Sequence, residues 1–190
     1  EAAQVFANPL IRNRATIGGN LSDASPAADT APPLLALNSE IQLTCKQGSR
    51  WMSLDDYFVG VRQTRRAPDE LVTAIRIPIP IHRQFGGFLK LGLRKADAIA
   101  VASAAVVIEI GPEGICQVVR IGLGSVAPRP IRAFAAEELL TGKQLDEAGI
   151  LPACQLCAEA AAPINDLRAT AGYRRKMVNV LVGRLLRRRD

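Results

Sequence analysis

The chain has 190 residues and a formal net charge of +6, and 48% of its residues are hydrophobic while only 4% are aromatic. A chain of this size buries enough apolar surface to fold as one or two domains without disulfides. The scarcity of aromatic side chains argues against a base-stacking platform for single-stranded nucleic acid, and no apolar run reaches the ~20 residues that span a bilayer.

The start of the sequence, EAAQVFANPL, lacks the basic and apolar segments of a secretory leader. The chain contains four cysteines, which we expect to be free thiols in a reducing compartment. Both observations predict a cytoplasmic protein.

The first part of the chain reads as loops and short strands. Glycine, proline, asparagine and alanine dominate its beginning, which predicts a loop over residues 12–29. Apolar and polar side chains alternate at 40–45 and again at 50–54, with a glutamine-glycine turn between them, as in a β-hairpin. Residues 71–77 alternate once more and predict a further strand.

Prolines and glycines between residues 78 and 87 separate this part from the second half of the chain. Three strand-like segments follow at 88–93, 98–110 and 115–123, and three helical patterns come after them, at 131–140, at 151–162 and from near Asp166. Such an order predicts an α+β unit in which three antiparallel strands are covered by three helices. We therefore divide the chain into residues 1–82 and 83–190.

The whole excess of positive charge lies in residues 174–190, which hold seven cations and one acid. Tyr173, Met177, Leu181 and Leu185 recur every four residues there and predict a helix. Cations near a helix C-terminus stabilise it through the helix dipole. A docking surface for an acidic partner is the alternative, and nucleic-acid binding is a weaker one.

Cys154 and Cys157 form a CxxC pair in an alanine-rich segment that reads as a helix. Spacing of three residues places both thiols on one helix face, and we expect them to be buried rather than to bind zinc or act in redox chemistry. His82 is the only histidine, so neither a Ser-His-Asp triad nor a histidine-based metal centre can be assembled. We predict no metal site.

Residues 16–20 have the composition of a phosphate-binding loop: Thr16, Ile17, Gly18, Gly19 and Asn20. Two adjacent glycines let backbone amides approach an anion and adopt positive φ. A carboxylate follows at Asp29, and carboxylates beside phosphate loops bind sugar hydroxyls. An ordinary glycine turn and a capping or exposed aspartate are the alternatives, but together the two features indicate a nucleotide.

The string RNRATIGGNLSDASPAADTAPPLLALNSEIQL resembles the FAD-binding subunit or domain of the molybdenum hydroxylases, the group that contains xanthine dehydrogenase and aerobic carbon monoxide dehydrogenase. Three later stretches resemble the C-terminal region of the same family: LRKADAIAV at 93–101, VAPRPIRA at 126–133 and LRATAGYRR at 167–175. The resemblance therefore covers nearly the whole chain, with its motifs in the family's order.

This resemblance implies the C-terminal portion of an FAD-binding α+β domain, followed by a three-stranded antiparallel sheet with a three-helix bundle. It also implies an electron-transfer subunit of a heteromeric complex. In the family, FAD takes electrons from the [2Fe-2S] clusters of a small subunit, after a large molybdopterin subunit has oxidised the substrate. The FAD then passes them to NAD or another acceptor. The flavin carries the chemistry, so no side chain is expected to be catalytic.

The same resemblance assigns roles to individual residues. Residues 16–20 would hold the FAD phosphates and ribityl region, and Asp29 would hydrogen-bond to the hydroxylated chain. Phe6 would place its ring against the flavin or adenine, and Val72 would contact the adenine end. Lys90 would lie near the isoalloxazine, where its charge stabilises the reduced flavin, although a solvated lysine at a strand edge is the commoner case.

The sequence departs from the family in one large respect, since the family's FAD domain begins roughly a hundred residues earlier, which exceeds ordinary loop variation. That part supplies the first glycine-rich loop and the other wall of the cleft. We expect it to lie on a separate chain or to have been removed, so that this chain alone binds FAD weakly or not at all. A scaffold or assembly piece that keeps the fold without FAD is the alternative function.

Overall fold

The computed structural model describes residues 1–95 and 97–188, so Ala96 and the end of the basic segment, Arg189 and Asp190, lie outside the described residues. Within them the chain forms two regions that meet along one face of a sheet. The class is α+β, as predicted.

The first region consists of short elements. In chain order these are α1 (Ala2–Val5), α2 (Pro9–Arg12), α3 (Ile17–Asp23), α4 (Ala31–Ala36), β1 (Glu40–Cys45), β2 (Gly48–Ser53), α5 (Leu54–Tyr57), β3 (Phe58–Gly60), β4 (Gln63–Thr64) and β5 (Leu71–Arg76). The strands form a three-stranded sheet in the order β2-β1-β5 and a separate β3-β4 pair.

The predicted hairpin is confirmed, because β1 and β2 pair antiparallel from Glu40 opposite Ser53 to Cys45 opposite Gly48. On β1, Ile41 and Leu43 are fully buried, and they pack with apolar residues of α3, α4 and α5. The alternation seen in the sequence thus marks the face of the sheet that these helices cover.

The predicted loop over residues 12–29 is wrong, because α3 lies inside it. Thr16 caps this helix by accepting a hydrogen bond from the amide of Gly19 at 2.9 Å. The helix ends where Ala24 adopts the left-handed conformation, with a φ of 49°. A good cap and burial of Leu21 offset the low helix propensity of two glycines, which the composition alone did not reveal.

The second region has longer elements. These are β6 (Arg83–Gly92), β7 (Ala100–Ile110), β8 (Cys116–Gly124), β9 (Ile131–Arg132), α6 (Phe134–Leu140), α7 (Glu147–Ala160) and α8 (Ala171–Leu186). The strands form one antiparallel sheet in the order β6-β7-β8-β9.

Three sequence expectations for this region need correction. The segment expected to begin a helix at residue 131 starts with the short strand β9, and the last helix begins at Ala171, where Thr170 caps it, rather than near Asp166. Gly86 and Gly87, read as an interruption, lie inside β6. A Cβ on Gly86 would lie 2.0 Å from the carbonyl oxygen of Val106, so glycine is required there for close strand pairing.

Alternation along β7 divides the sheet between two layers. Ala102, Ala104, Val106 and Ile108 belong to the main core with α6, α7 and α8. The intervening Ala105 and Val107 instead pack with Ala36 of α4 and with Phe88. The sheet is therefore covered by helices of its own region on one face and by α4 of the first region on the other.

Close backbone contacts fix the join between the regions. A Cβ on Gly122 of β8 would lie 2.2 Å from the carbonyl oxygen of Pro32 in α4. After β8, the amide of Ser125 donates to the carbonyl of Pro26 at 2.8 Å. The segment between α3 and α4 is thus held by the second region.

The basic last helix is partly neutralised within the chain. Arg174 pairs with Asp166, Arg187 with Glu147 and Arg188 with Glu1, at 2.7 Å in each case. These pairs give part of the positive segment a role in linking elements of the same chain. No described helix combines the length and apolar character needed to cross a lipid bilayer.

Cys154 and Cys157 are buried on α7, as predicted, and burial raises the pKa of both thiols. Low reactivity follows, because the thiolate is the reactive form. Among residues 1–95 and 97–188, no three His, Cys, Asp or Glu side chains cluster as a metal centre would require.

Candidate functional site

The N-terminal turn of α3 carries the first part of the site. Both Gly18 and Gly19 lie within this helix and neither has positive φ, so the expected turn conformation is wrong. The two glycines matter for packing because they have no side chain. A Cβ on Gly19 would lie 2.9 Å from the capping oxygen of Thr16, and one on Gly18 would touch Val72 of β5 at 3.5 Å.

This packing brings four of the predicted residues together in one place, since Thr16, Gly18, Gly19 and Val72 contact one another through α3 and β5. Ile17, 53% exposed, borders them. The first amides of a helix have no carbonyl partner within it, and Thr16 satisfies only that of Gly19. Within residues 1–95 and 97–188 no acceptor is found for the amides of Ile17 and Gly18, which leaves them as donors for an acceptor outside the helix.

Asn20 continues the site one helical turn further along. The hydroxyl of Thr30, at the start of α4, donates to Asn20 Oδ1 at 2.6 Å. Sequence reasoning missed Thr30, because ten residues separate it from Asn20 and nothing in the local pattern indicates that the chain returns there.

Asp29 and Lys90 form a buried ion pair that joins the two regions. Lys90 Nζ lies 2.6 Å from Asp29 Oδ2, and the two side chains are only 7% and 6% exposed. The alternative of a solvated lysine is therefore wrong. The second oxygen, Asp29 Oδ1, is buried and has no hydrogen-bond partner within the described chain.

Burial is the largest influence on the pKa of Asp29. Loss of hydration raises the pKa of this carboxyl, while the hydrogen bond and the charge of Lys90 lower it, and burial is the larger effect. An acceptor atom without a donor in such an environment is costly. Asp29 Oδ1 is therefore suited to a ligand that brings a hydroxyl donor.

Phe6 lies in the turn after α1, next to this pair. Lys90 Nζ is 3.4 Å from the carbonyl oxygen of Val5, and Arg12 holds the turn by donating to the carbonyl of Phe6 at 2.6 Å. Phe6 is half-buried as a residue. The backbone of the turn that carries Phe6 thus lies against the ammonium of Lys90.

The predicted residues therefore form two adjoining groups. Backbone amides and a side-chain amide gather around α3, and a buried carboxylate and ammonium lie beside the start of α4. Asn20 and Thr16 are separated by four residues of one helix, a rise of about 6 Å. Donors at one end and a buried acceptor at the other suit an elongated ligand that combines phosphate with sugar hydroxyls.

The fold and two family models define the class of the protein as the FAD-binding subunits of the molybdenum hydroxylases. Residues 1–80 match the family described as FAD binding domain in molybdopterin dehydrogenase, and residues 88–188 match the family described as CO dehydrogenase flavoprotein C-terminal domain. The chain belongs to this family of FAD-binding subunits, and the resemblance seen in the sequence is confirmed.

Individual relatives agree with this assignment. The chain is 37% identical to the carbon monoxide dehydrogenase medium chain of Afipia carboxidovorans over 188 residues, which is 99% of this chain and 65% of that protein. It is 32% identical to the glyceraldehyde dehydrogenase medium chain of Sulfolobus acidocaldarius, over 95% of this chain and 63% of that one.

A solved structure of reconstituted CO dehydrogenase from Oligotropha carboxidovorans superposes with a TM-score of 0.94 at 37% identity. That match covers 99% of this chain and 65% of the other. The chain thus spans slightly less than two thirds of the length of these relatives. Because they are named as dehydrogenases, the comparison favours an oxidoreductase subunit over a scaffold without cofactor.

Proposed function

We propose that this chain forms one wall of the FAD site in the electron-transfer subunit of a molybdenum hydroxylase. The observation that carries the proposal is the buried Asp29–Lys90 pair beside the start of α4, where Thr30 is hydrogen-bonded to Asn20 of α3. Its unpartnered carboxylate oxygen, Asp29 Oδ1, fits a polyol such as the ribityl chain. The family match over residues 1–80 supports the same cofactor.

The chain's own residues would hold and orient the cofactor. The free amides of Ile17 and Gly18 and the side chain of Asn20 donate to phosphate oxygens, which only accept hydrogen bonds. The glycines keep this surface open to close approach. Val72 supplies an apolar contact for the adenine end, and Phe6 supplies an aromatic face.

Lys90 contributes charge at the other end of the site. Its ammonium is buried and held by Asp29 and by the carbonyl of Val5, so its position is fixed. A fixed cation stabilises negative charge beside it more strongly in a buried site than in water. When bound, FAD supplies transfer of electrons between one- and two-electron carriers.

In the complete enzyme we propose that electrons reach FAD from [2Fe-2S] clusters of a small subunit and leave to NAD or another acceptor. A large molybdopterin subunit would oxidise the substrate. We also propose a cytoplasmic location, and a division of the chain into residues 1–82, which carry the cofactor wall, and 83–190, which brace it. The relatives' names as medium chains or subunits of dehydrogenases support a multi-subunit assembly.

The test is FAD binding by the longest natural form of the protein, below called the natural form, followed through flavin absorbance near ~450 nm. We expect one FAD per chain, and we expect Lys90→Met to weaken binding. The matched control is Lys143→Met, which removes an exposed lysine next to Cys116 at the start of β8. This variant should bind FAD as the unmodified protein does. A natural form without affinity for FAD refutes the proposal.

A further inference from the structure

We propose that Thr30 is a positioning residue, which turns the side-chain amide of Asn20 so that its NH2 group faces the phosphates of the ligand. The inference rests on the proposed function, since it takes the ligand to be FAD. Thr30 itself contacts Asn20 and not the phosphate.

The contact between the two side chains carries the argument. The Thr30 hydroxyl donates to Asn20 Oδ1 at 2.6 Å, a short and partly buried hydrogen bond. An asparagine amide has an acceptor oxygen on one side and two N–H donors on the other. With the oxygen held by Thr30, Nδ2 points the opposite way, and no described residue accepts from it.

The sequence after Thr30 leaves its hydroxyl available to hydrogen-bond with Asn20. Threonine at the N-cap of a helix ordinarily accepts a hydrogen bond from the amide of the second or third helical residue. In α4 these residues are Pro32 and Pro33, which have no N–H, and Thr30 makes no side-chain cap. The hydroxyl therefore serves Asn20 rather than its own helix.

The position of Thr30 is also fixed from outside the first region. Gly122 of β8 contacts the backbone of Pro32 so closely that no side chain fits between them, and the neighbouring Asp29 is held by Lys90 of β6. Thr30 lies between these two anchors. It can thus transmit the position of the second region to Asn20, which sits on α3.

Orientation matters because phosphate oxygens are acceptors only. An amide held with its NH2 outward donates to the phosphate, whereas a freely turning amide presents its oxygen for part of the time and repels it. Loss of one hydrogen bond to a charged group of this kind weakens binding by about tenfold.

The experiment is a double-mutant cycle on FAD affinity in the natural form. We expect Thr30→Val, which keeps the shape and removes the hydroxyl, to weaken FAD binding about tenfold. We expect Thr30→Ser to recover most of that loss. In an Asn20→Ala background, Thr30→Val should have no further effect, because the group it orients is absent.

Three results would overturn the inference. Thr30→Val could bind FAD as tightly as the unmodified protein, Thr30→Ser could fail to recover affinity, or Thr30→Val could weaken binding equally in the Asn20→Ala background. Should Thr30→Val not fold, Asn20→Asp against Asn20→Ala tests the amide orientation on which the inference depends. An outward NH2 group requires the aspartate variant to bind more weakly than the alanine variant, and equal affinities contradict it.

These outcomes are separable from failure of the proposed function. If the unmodified natural form does not bind FAD, the proposed function fails, and the inference about Thr30 fails with it. If it binds FAD but the cycle shows no coupling between Thr30 and Asn20, only the inference about Thr30 is lost.

Discussion

The two regions of the molecule are stabilised in different ways. The second region has a sheet with three strands of nine to eleven residues and a short fourth strand, and its helices of up to 16 residues share one large apolar core with this sheet. The first region has helices of four to seven residues and a smaller core, with side-chain caps on three of the described helices and ion pairs between its segments. Helices this short are not stable alone, so their positions depend on packing against something else.

The candidate site lies where the first region, with its short helices and smaller core, packs against the second region. Asp29 and Thr30 belong to the first region, but Lys90 belongs to β6, and Gly122 of β8 supports α4. This difference between the regions indicates that contacts from the second region hold the site residues of the first region in place. Substitutions at the join should therefore affect both stability and cofactor binding.

Breaking the ion pair at the join should have the largest effect. Lys90→Met leaves the Asp29 carboxylate buried without its cation, and such changes cost about 3–5 kcal/mol. We expect a loss of this size in the free energy of unfolding at pH 7, measured by urea denaturation. Lys143→Met, at an exposed position, should change it little.

The same variant has a pH signature with a definite sign. Asp29 already has a raised pKa in the folded protein, and removal of the neighbouring cation raises it further. A raised carboxyl pKa favours the folded state below the ordinary pKa and disfavours it above. The deficit of Lys90→Met should thus be full at pH 7 and smaller near pH 4, and a deficit independent of pH would contradict this explanation.

Truncation of the large core should come next. Ile121→Ala removes a fully buried side chain of β8 and should cost about 2–5 kcal/mol in chemical denaturation. Ile17→Ala, at the exposed edge of the site, should change stability by less than about 0.5 kcal/mol. Equal costs at the two isoleucines would show that burial of Ile121 in the large core does not stabilise the second region.

Two glycine-to-alanine substitutions test the contact between α4 and β8. Gly122→Ala forces α4 away from β8 and should cost about 1–3 kcal/mol, with weaker FAD binding in the natural form. Gly172→Ala places the same methyl group in open space on α8, where alanine is the better helix former, and should be neutral or stabilising. Stability unchanged by Gly122→Ala would show that α4 is not held by this contact.

The smallest effect is expected at an ion pair within the first region. Arg50 and the amide of Ala67 hold the pKa of Glu70 at about 2. This lowered pKa contributes stability above the ordinary carboxyl pKa, which is lost as the pH falls toward about 2. Glu70→Gln should be less stable at pH 7 and lose less between pH 5 and pH 2, measured by thermal unfolding. The exposed Glu138→Gln should follow the unmodified protein.

The sequence predicted the elements and the chemical types at the site better than their arrangement. The hairpin and the strands of the second region follow from alternation, which is local. The pairing of Asp29 with Lys90 joins residues 61 positions apart and could not be read from either segment. Thr30 was missed for a related reason. Only the fold shows that Thr30 is the N-cap of α4, where Pro32 and Pro33 have no N–H to donate to its hydroxyl.

The most direct test of the central claim is hydrogen–deuterium exchange of the natural form with and without FAD. The account predicts slower exchange on FAD binding in peptides that cover residues 16–30 and the part of β6 around Lys90, with α7 unchanged as an internal reference. Unchanged exchange over residues 16–30 while FAD is bound would show that these residues do not form a wall of its site.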